Sequence, residues 1–126
     1  YRPNIHIDDL TDLYLDLLLF EDIKIAGNVF NVGYQNHKII ELAEIIKNEI
    51  FQSLEKKVDL KILETDDIRS YRISTAKIEK ELGFVPKKTI GHAVQELIEF
   101  FKVNKIDTMN SSEFYNLKRM QEINFK

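Results

Sequence analysis

The chain has 126 residues, of which 44% are apolar and 31% charged, as expected for one globular domain or a piece of a larger protein. Its 18 Lys and Arg are interspersed with 21 Asp and Glu, so no basic block indicates nucleic-acid binding. Cysteine is absent, which excludes disulfides and Cys-ligated zinc, and no apolar run is long enough to span a bilayer. We therefore expect a cytoplasmic protein that binds neither nucleic acid nor membranes.

The first predicted elements are a short strand and a helix. Polar and apolar residues alternate over residues 4–8, which predicts the strand. Asp9 or Thr11 can cap the helix that follows. Five residues at helical spacing form its apolar stripe: Leu10, Leu13, Tyr14, Leu17 and Leu18. After a polar connection over residues 21–28, the β-rich stretch VFNVG, residues 29–33, predicts a buried strand.

The middle of the chain predicts further helices and strands. Asn36 or His37 opens a helix, and alternation over residues 58–62 predicts a strand with one solvated face. Residues 70–74 are expected to be extended. Ser74 or Thr75 begins a helix that Gly83 ends in the left-handed conformation. The last strong helix begins at Thr89, and its core face comprises Ala93, Val94, Leu97, Ile98 and Phe101.

The order of predicted elements is strand–helix–strand–helix–strand–helix–helix, which is typical of an α/β fold. VFNVG followed by a helix is half of a parallel crossover unit, yet few partner strands are predicted. The chain also begins without Met. We therefore expect that part of a larger sheet has been cut away on the N-terminal side. The tail, residues 105–126, is predicted as a short helix or a partner-binding arm.

Three stretches together resemble a known family. They are YRPNIHIDDLTDLYLDLL, GNVFNVGYQNHKIIELAEIIK and DIRSYRISTAKIEKELGFVPKKTI, in this order. The chain resembles the C-terminal third of the extended short-chain dehydrogenases/reductases, the NAD-dependent nucleotide-sugar epimerases and dehydratases. The resemblance runs to about residue 101. It implies that residues 1–104 are the substrate-binding region: the last Rossmann strand and helix plus a small α/β subdomain, with the Rossmann core missing.

The resemblance implies that NAD or NADP is bound by the missing N-terminal domain, where a Tyr and a Lys four apart act on the sugar. The four glycines of this chain form no Gly-rich phosphate loop. YQNHK has the Tyr–Lys spacing but lies in the wrong segment, so we interpret it as coincidence. No catalytic residue is therefore assigned here. The intact parent is expected to be an enzyme, and this chain alone is expected to be inactive.

Arg2, Arg69 and Tyr71 are the predicted substrate-binding residues. In the family an arginine just before the strand that matches residues 4–8 contacts the diphosphate of the nucleotide-sugar. Arg2 occupies the matching position. Many relatives carry another arginine seven residues before the tyrosine, where this chain has Glu64. We expect Arg69 to supply the missing charge, because in an extended stretch it shares a face with Tyr71 while Arg72 points away. A guanidinium fork suits phosphate oxygens. The competing interpretation is a set of surface charges around a core tyrosine.

NIHIDD, residues 4–9, places a histidine and two carboxylates within four positions. Such a group could begin a metal site. No second histidine lies nearby, and Asp9 is better suited to capping a helix, so we predict no metal ligand here. His6, Asp8 and Asp9 are instead expected to orient a strand–helix junction.

Two functions from different classes follow. The first is the substrate-binding portion of an NAD(P)-dependent epimerase or dehydratase that binds a nucleotide diphosphate-sugar; reductase and decarboxylase chemistry stay open, and relatives are often homodimers. The second is a free-standing, non-catalytic interaction or assembly module with the same fold. Glu64 and the tail favour the second.

Overall fold

The computed structural model of the chain describes residues 1–64, 69–104 and 112–124. Within these residues the fold is a small, mostly helical α/β structure, which confirms the predicted class. The elements are β1 (Arg2–Asn4), α1 (Ile7–Leu17), α2 (Asp22–Ile25), β2 (Gln35–His37), α3 (Ile39–Leu54), α4 (Ala76–Leu82), α5 (Ile90–Val103), a 3-10 turn (Ser112–Phe114) and α6 (Asn116–Glu122). None of these helices combines the length and apolarity needed to cross a bilayer.

The sheet consists of β1 and β2, which pair antiparallel with Arg2 opposite His37. Residues 69–73 lie beside the start of β1, where the backbone N–H of Tyr71 donates to the carbonyl of Tyr1 at 3.3 Å. The side-chain amide of Asn36 bonds both backbone groups of Ile73, donating at 3.1 Å and accepting at 3.0 Å. The stretch predicted as extended is thus held against the sheet by hydrogen bonds, although it is not itself a strand.

Three predicted strands are wrong. Residues 29–33 and 58–62 form no strand in the described structure, and the strand expected over residues 4–8 lies instead at Arg2–Asn4. VFNVG has the composition of a buried strand, but in the described residues it has no ladder partner, and Val29 is exposed. Its Phe30 and Val32 still pack on the hydrophobic core. Phe30 and Val32 are therefore partly buried although the segment forms no strand.

The start of α1 explains why the first strand is short. His6 is the N-cap, and its ring Nδ1 accepts a hydrogen bond from the Asp8 backbone N–H at 3.2 Å. This bond satisfies one of the free donors in the first turn and lets the helix begin at Ile7. The sequence favours Asp9 or Thr11 as the N-cap, and this prediction is wrong because His6 takes that position. The connection expected over residues 21–28 also contains a short helix, α2.

The main core lies between α1 and α4. Leu13, Ile78 and Leu82 are its buried members, and six half-buried side chains pack around them: Leu17, Phe20, Ile25, Phe30, Val32 and Phe84. Gly83 ends α4 with φ +70°, as predicted, and Thr89 caps α5, also as predicted. Only Val94 and Ile98 of the predicted α5 core face are buried. Tyr14 of α1 and Leu18, its C-cap, are exposed although both belong to the predicted apolar stripe.

Candidate functional site

The three residues predicted to bind substrate lie together in the fold. Arg2 Nη1 donates to the backbone carbonyl of Tyr1 at 3.1 Å and also to that of Arg69, 67 residues away in the sequence. The Arg2 guanidinium carbon lies 5.7 Å from the centre of the Tyr71 ring. The hydrogen bond between Tyr71 and Tyr1 fixes the two segments side by side. Arg2, Arg69 and Tyr71 are called the arginine site below.

A second cation–π group lies next to the arginine site. The Arg72 guanidinium carbon is 3.5 Å from the centre of the Tyr1 ring, and Lys38 Nζ is 5.7 Å from it. Arg2 therefore pairs with Tyr71 while its neighbour Tyr1 pairs with Arg72. This is the pattern expected of adjacent extended chains, whose consecutive side chains point to opposite faces. Arg72 thus belongs to the group that does not include Tyr71, as the sequence predicts.

The arginine site is open to solvent. Arg2 is half-buried, Arg69 is exposed, and Tyr71 is 55% exposed. One guanidinium group can donate to two phosphate oxygens at once. The exposed tyrosine ring offers an apolar surface with a hydroxyl at its tip. This combination suits a phosphorylated ligand that carries a ring. Asp66 and Asp67 of the same sequence stretch lie outside the described residues.

Asp9 connects α1 to the segment before α5. It is buried, and its carboxylate accepts from the backbone N–H of Lys87 at 3.1 Å and from that of Lys88 at 2.9 Å. The carboxylate therefore orders the chain between α4 and α5. Asp9 is expected from the sequence to orient the strand–helix junction at its own position; its carboxylate instead binds the segment before α5.

His6, Asp8, Lys88 and Glu96 form an ion-pair network, called the Lys88 cluster below. Lys88 Nζ donates to Asp8 and, at 2.7 Å, to Glu96. The buried ring of His6 lies 3.1 Å from Glu96 through Nε2. His6, Asp8 and Glu96 each offer one possible metal-ligand atom, and these three atoms lie within 4.8 Å of one another, a spacing that could hold a metal ion. The Lys88 ammonium already contacts both carboxylates, so the protein supplies its own cation there.

The Lys88 cluster should make folding stability depend on pH. The hydrogen bond from Lys88 lowers the pKa of Asp8 and of Glu96, and the same contacts raise the pKa of Lys88. Carboxylates with a lowered pKa stabilise the folded chain above their unfolded pKa, and that contribution is lost as the pH falls through the folded pKa. The lysine contribution is present below its unfolded pKa and is lost as the pH rises through the folded pKa.

We expect Lys88→Met to be less stable than wild type near neutral pH, with a difference that shrinks toward about pH 3. The effect is modest because all three charged groups are partly exposed and screened. Urea unfolding at several pH values measures it. Lys87→Met is the matched control, since Lys87 is exposed and contacts Asp9 through its backbone. A pH-independent difference for Lys88→Met would contradict the assignment.

The glycines do not form a dinucleotide cradle. Gly27 and Gly83 adopt positive φ at separate helix ends, Gly33 faces Ile73, and Gly91 lies within α5. A phosphate loop needs its glycines together between a strand and a helix. The glycines of this chain therefore form no phosphate loop for NAD or NADP.

Several contacts are not indicated by any pattern in the sequence. Lys77 Nζ donates to the Asn28 side chain, and Lys88 joins the network above. The Arg72–Tyr1 stack is another such contact. These contacts join segments far apart in the sequence, where no periodic signal exists. The residues around Asn36 also give no indication that its amide bonds the backbone of Ile73.

Comparisons of the chain with protein-family models, with curated proteins and with solved structures find no match.

Proposed function

We propose that this chain is the substrate-binding, C-terminal portion of an NAD(P)-dependent nucleotide-sugar epimerase or dehydratase. The arginine site binds the diphosphate bridge of the nucleotide-sugar, with Tyr71 beside the sugar or the base. Cofactor and proton transfer belong to another part of the intact protein, which is cytoplasmic and homodimeric in this proposal. The resemblance set out above supplies the reaction class.

One observation carries the proposal: the Arg2 guanidinium contacts the backbone carbonyl of Arg69 and lies 5.7 Å from the Tyr71 ring, although Arg2 comes from the other half of the chain. A diphosphate offers several anionic oxygens, which two guanidinium groups can share. The exposed ring of Tyr71 adds a stacking surface for a planar or cyclic group. Together these groups supply what a nucleotide diphosphate-sugar requires at its centre.

The test is binding of UDP-, dTDP-, CDP- and GDP-sugars to the protein expressed from its complete reading frame. Arg2→Ala and Arg69→Ala should each weaken binding of the preferred ligand by about 10–100-fold, because each removes one charge-assisted phosphate contact. Arg2→Lys should retain part of the affinity, since an ammonium keeps the charge but loses the fork. Calorimetry or fluorescence titration measures the change.

Arg72→Ala is the control for this experiment. It removes a guanidinium of the same size from the neighbouring cation–π group, so binding should change less than about threefold. Equal losses for Arg72→Ala and Arg2→Ala would mean that only the general positive charge matters. No loss for Arg2→Ala and Arg69→Ala would remove both residues from the site. Turnover by residues 1–126 alone would also contradict the proposal.

A second candidate function is a free-standing interaction module. The observation that favours it is the apolar end of the α1–α2 region, where Leu18, Leu19 and Ile23 are each more than four-fifths exposed. Such a surface suits burial against another protein or domain. The codons before Tyr1 discriminate the two: a Gly-rich loop and a Tyr-x-x-x-Lys motif favour the enzyme, whereas an in-frame start near Tyr1 favours the module.

A further inference from the structure

Helices α3 and α5 pack together but leave an apolar groove of about 510 Å³ between them. Val94 and Ile98 are its buried residues. Ile46, Leu97 and Phe101 line it as well and keep much of their surface in solvent, with Leu97 56% exposed. The groove is thus large enough for apolar side chains and is lined mainly by them.

Helix α6 carries an apolar face of matching kind. Leu117 and Met120 are three residues apart and therefore adjacent on one side of the helix. Both are exposed, Leu117 by 73%. Lys118 lies about 160° around the helix axis from Met120. None of the described residues that line the groove belongs to α6.

The connection between the two surfaces is short. Asn104, which ends α5, is three residues beyond Phe101, at one end of the groove. Seven residues separate Asn104 from Ser112 and the turn that precedes α6. Seven residues can span up to about 25 Å, whereas Val94 to Phe101 covers about 10 Å of helix. Helix α6 can therefore reach the groove along its full length.

We propose that α6 docks its Leu117–Met120 face into the α3–α5 groove of the same chain. The short connection gives α6 an effective concentration in the millimolar range at its own groove, which favours this arrangement over docking onto a second copy. The inference is independent of the proposed function, because neither surface contains a residue of the arginine site.

The chain has no cysteine, so an introduced pair can be trapped cleanly. In full-length protein, Leu97→Cys combined with Met120→Cys should form an intramolecular disulfide in a glutathione buffer. The control pair, Leu97→Cys with Lys118→Cys, has the same connection but the wrong face of α6. We expect the Met120 pair to close at least about tenfold more readily than the control, as measured by peptide mass spectrometry.

Two results would overturn the proposal. Equal closure of both pairs would mean that α6 samples the groove without a preferred face, and a disulfide-linked dimer that grows with concentration would place α6 on a second copy. Hydrogen exchange gives a second measurement without cysteine. The variant with Leu117→Asp and Met120→Asp should speed exchange of the α5 amides at residues 94–101, whereas Lys118→Asp should leave it unchanged. Unchanged exchange in both variants would also contradict docking.

Discussion

Leu13→Ala should lower the free energy of unfolding by about 2–5 kcal/mol. The Leu13 side chain is 2% exposed and packs with Ile78 and Leu82 between α1 and α4. Truncation to alanine loses the transfer free energy of the buried methyl groups and leaves a cavity that its neighbours can fill only in part. A domain of this size is stable by roughly 5–15 kcal/mol in total, so the loss is a large share. Urea unfolding followed by circular dichroism measures it.

Leu15→Ala is the matched control. It makes the same substitution two residues away on the same helix, where the side chain is 57% exposed. The expected change is within about 0.5 kcal/mol, because little buried surface is lost. Similar effects for Leu13→Ala and Leu15→Ala would show that the α1–α4 cluster does not form the main core.

Asp9→Ala should destabilise the fold by about 3 kcal/mol. The Asp9 carboxylate accepts from two backbone N–H groups, those of Lys87 and Lys88, and the side chain is buried. Removing it leaves both donors without this acceptor and frees the segment that leads into α5. Thermal or urea unfolding gives the change in stability. Hydrogen exchange at residues 87 and 88 should also become faster, because the bonds that protect those two amides are lost.

Two further variants sharpen this test. Asp9→Asn keeps one acceptor oxygen but replaces the other with an NH₂ group that faces a donor, so it should lose at least half as much stability as Asp9→Ala. Asp12→Ala removes an exposed carboxylate from the same helix and should change stability by no more than about 0.5 kcal/mol. A small effect of Asp9→Ala with normal protection at residues 87 and 88 would show that the carboxylate is dispensable.

The sequence predicted helices better than strands in this chain. Gly83 and Thr89 carry their own end signals in the sequence, and the structure has α4 end and α5 begin at these residues. A strand needs a partner, and its existence depends on residues far away. VFNVG lacks such a partner within the described residues, so its composition alone gave the wrong prediction. The strand expected over residues 58–62 failed in the same way.

The sequence predicts which way the side chains of residues 69–72 point, but not the contacts that Arg2 makes with them. Alternation along residues 69–72 separates Tyr71 from Arg72, and this is a local rule. That Arg2 would bond the carbonyl of Arg69 depends on how the two segments meet, which the Asn36 amide helps to decide. The Lys88 cluster likewise joins α1, α5 and the segment between α4 and α5. Local sequence patterns do not predict contacts between segments that are far apart in the chain.

The ring of His6 has a consequence for the whole junction. Its Nδ1 lone pair receives the Asp8 N–H, so the single ring proton lies on Nε2, directed toward Glu96. One tautomer is thereby selected, and a rigid five-membered ring holds an acceptor toward α1 and a donor toward α5. The side chains of asparagine and glutamine also have an acceptor and a donor, but both atoms are bonded to one terminal carbon. They cannot contact α1 and α5 in the two directions that the His6 ring does. The geometry at position 6 therefore favours histidine over either amide side chain.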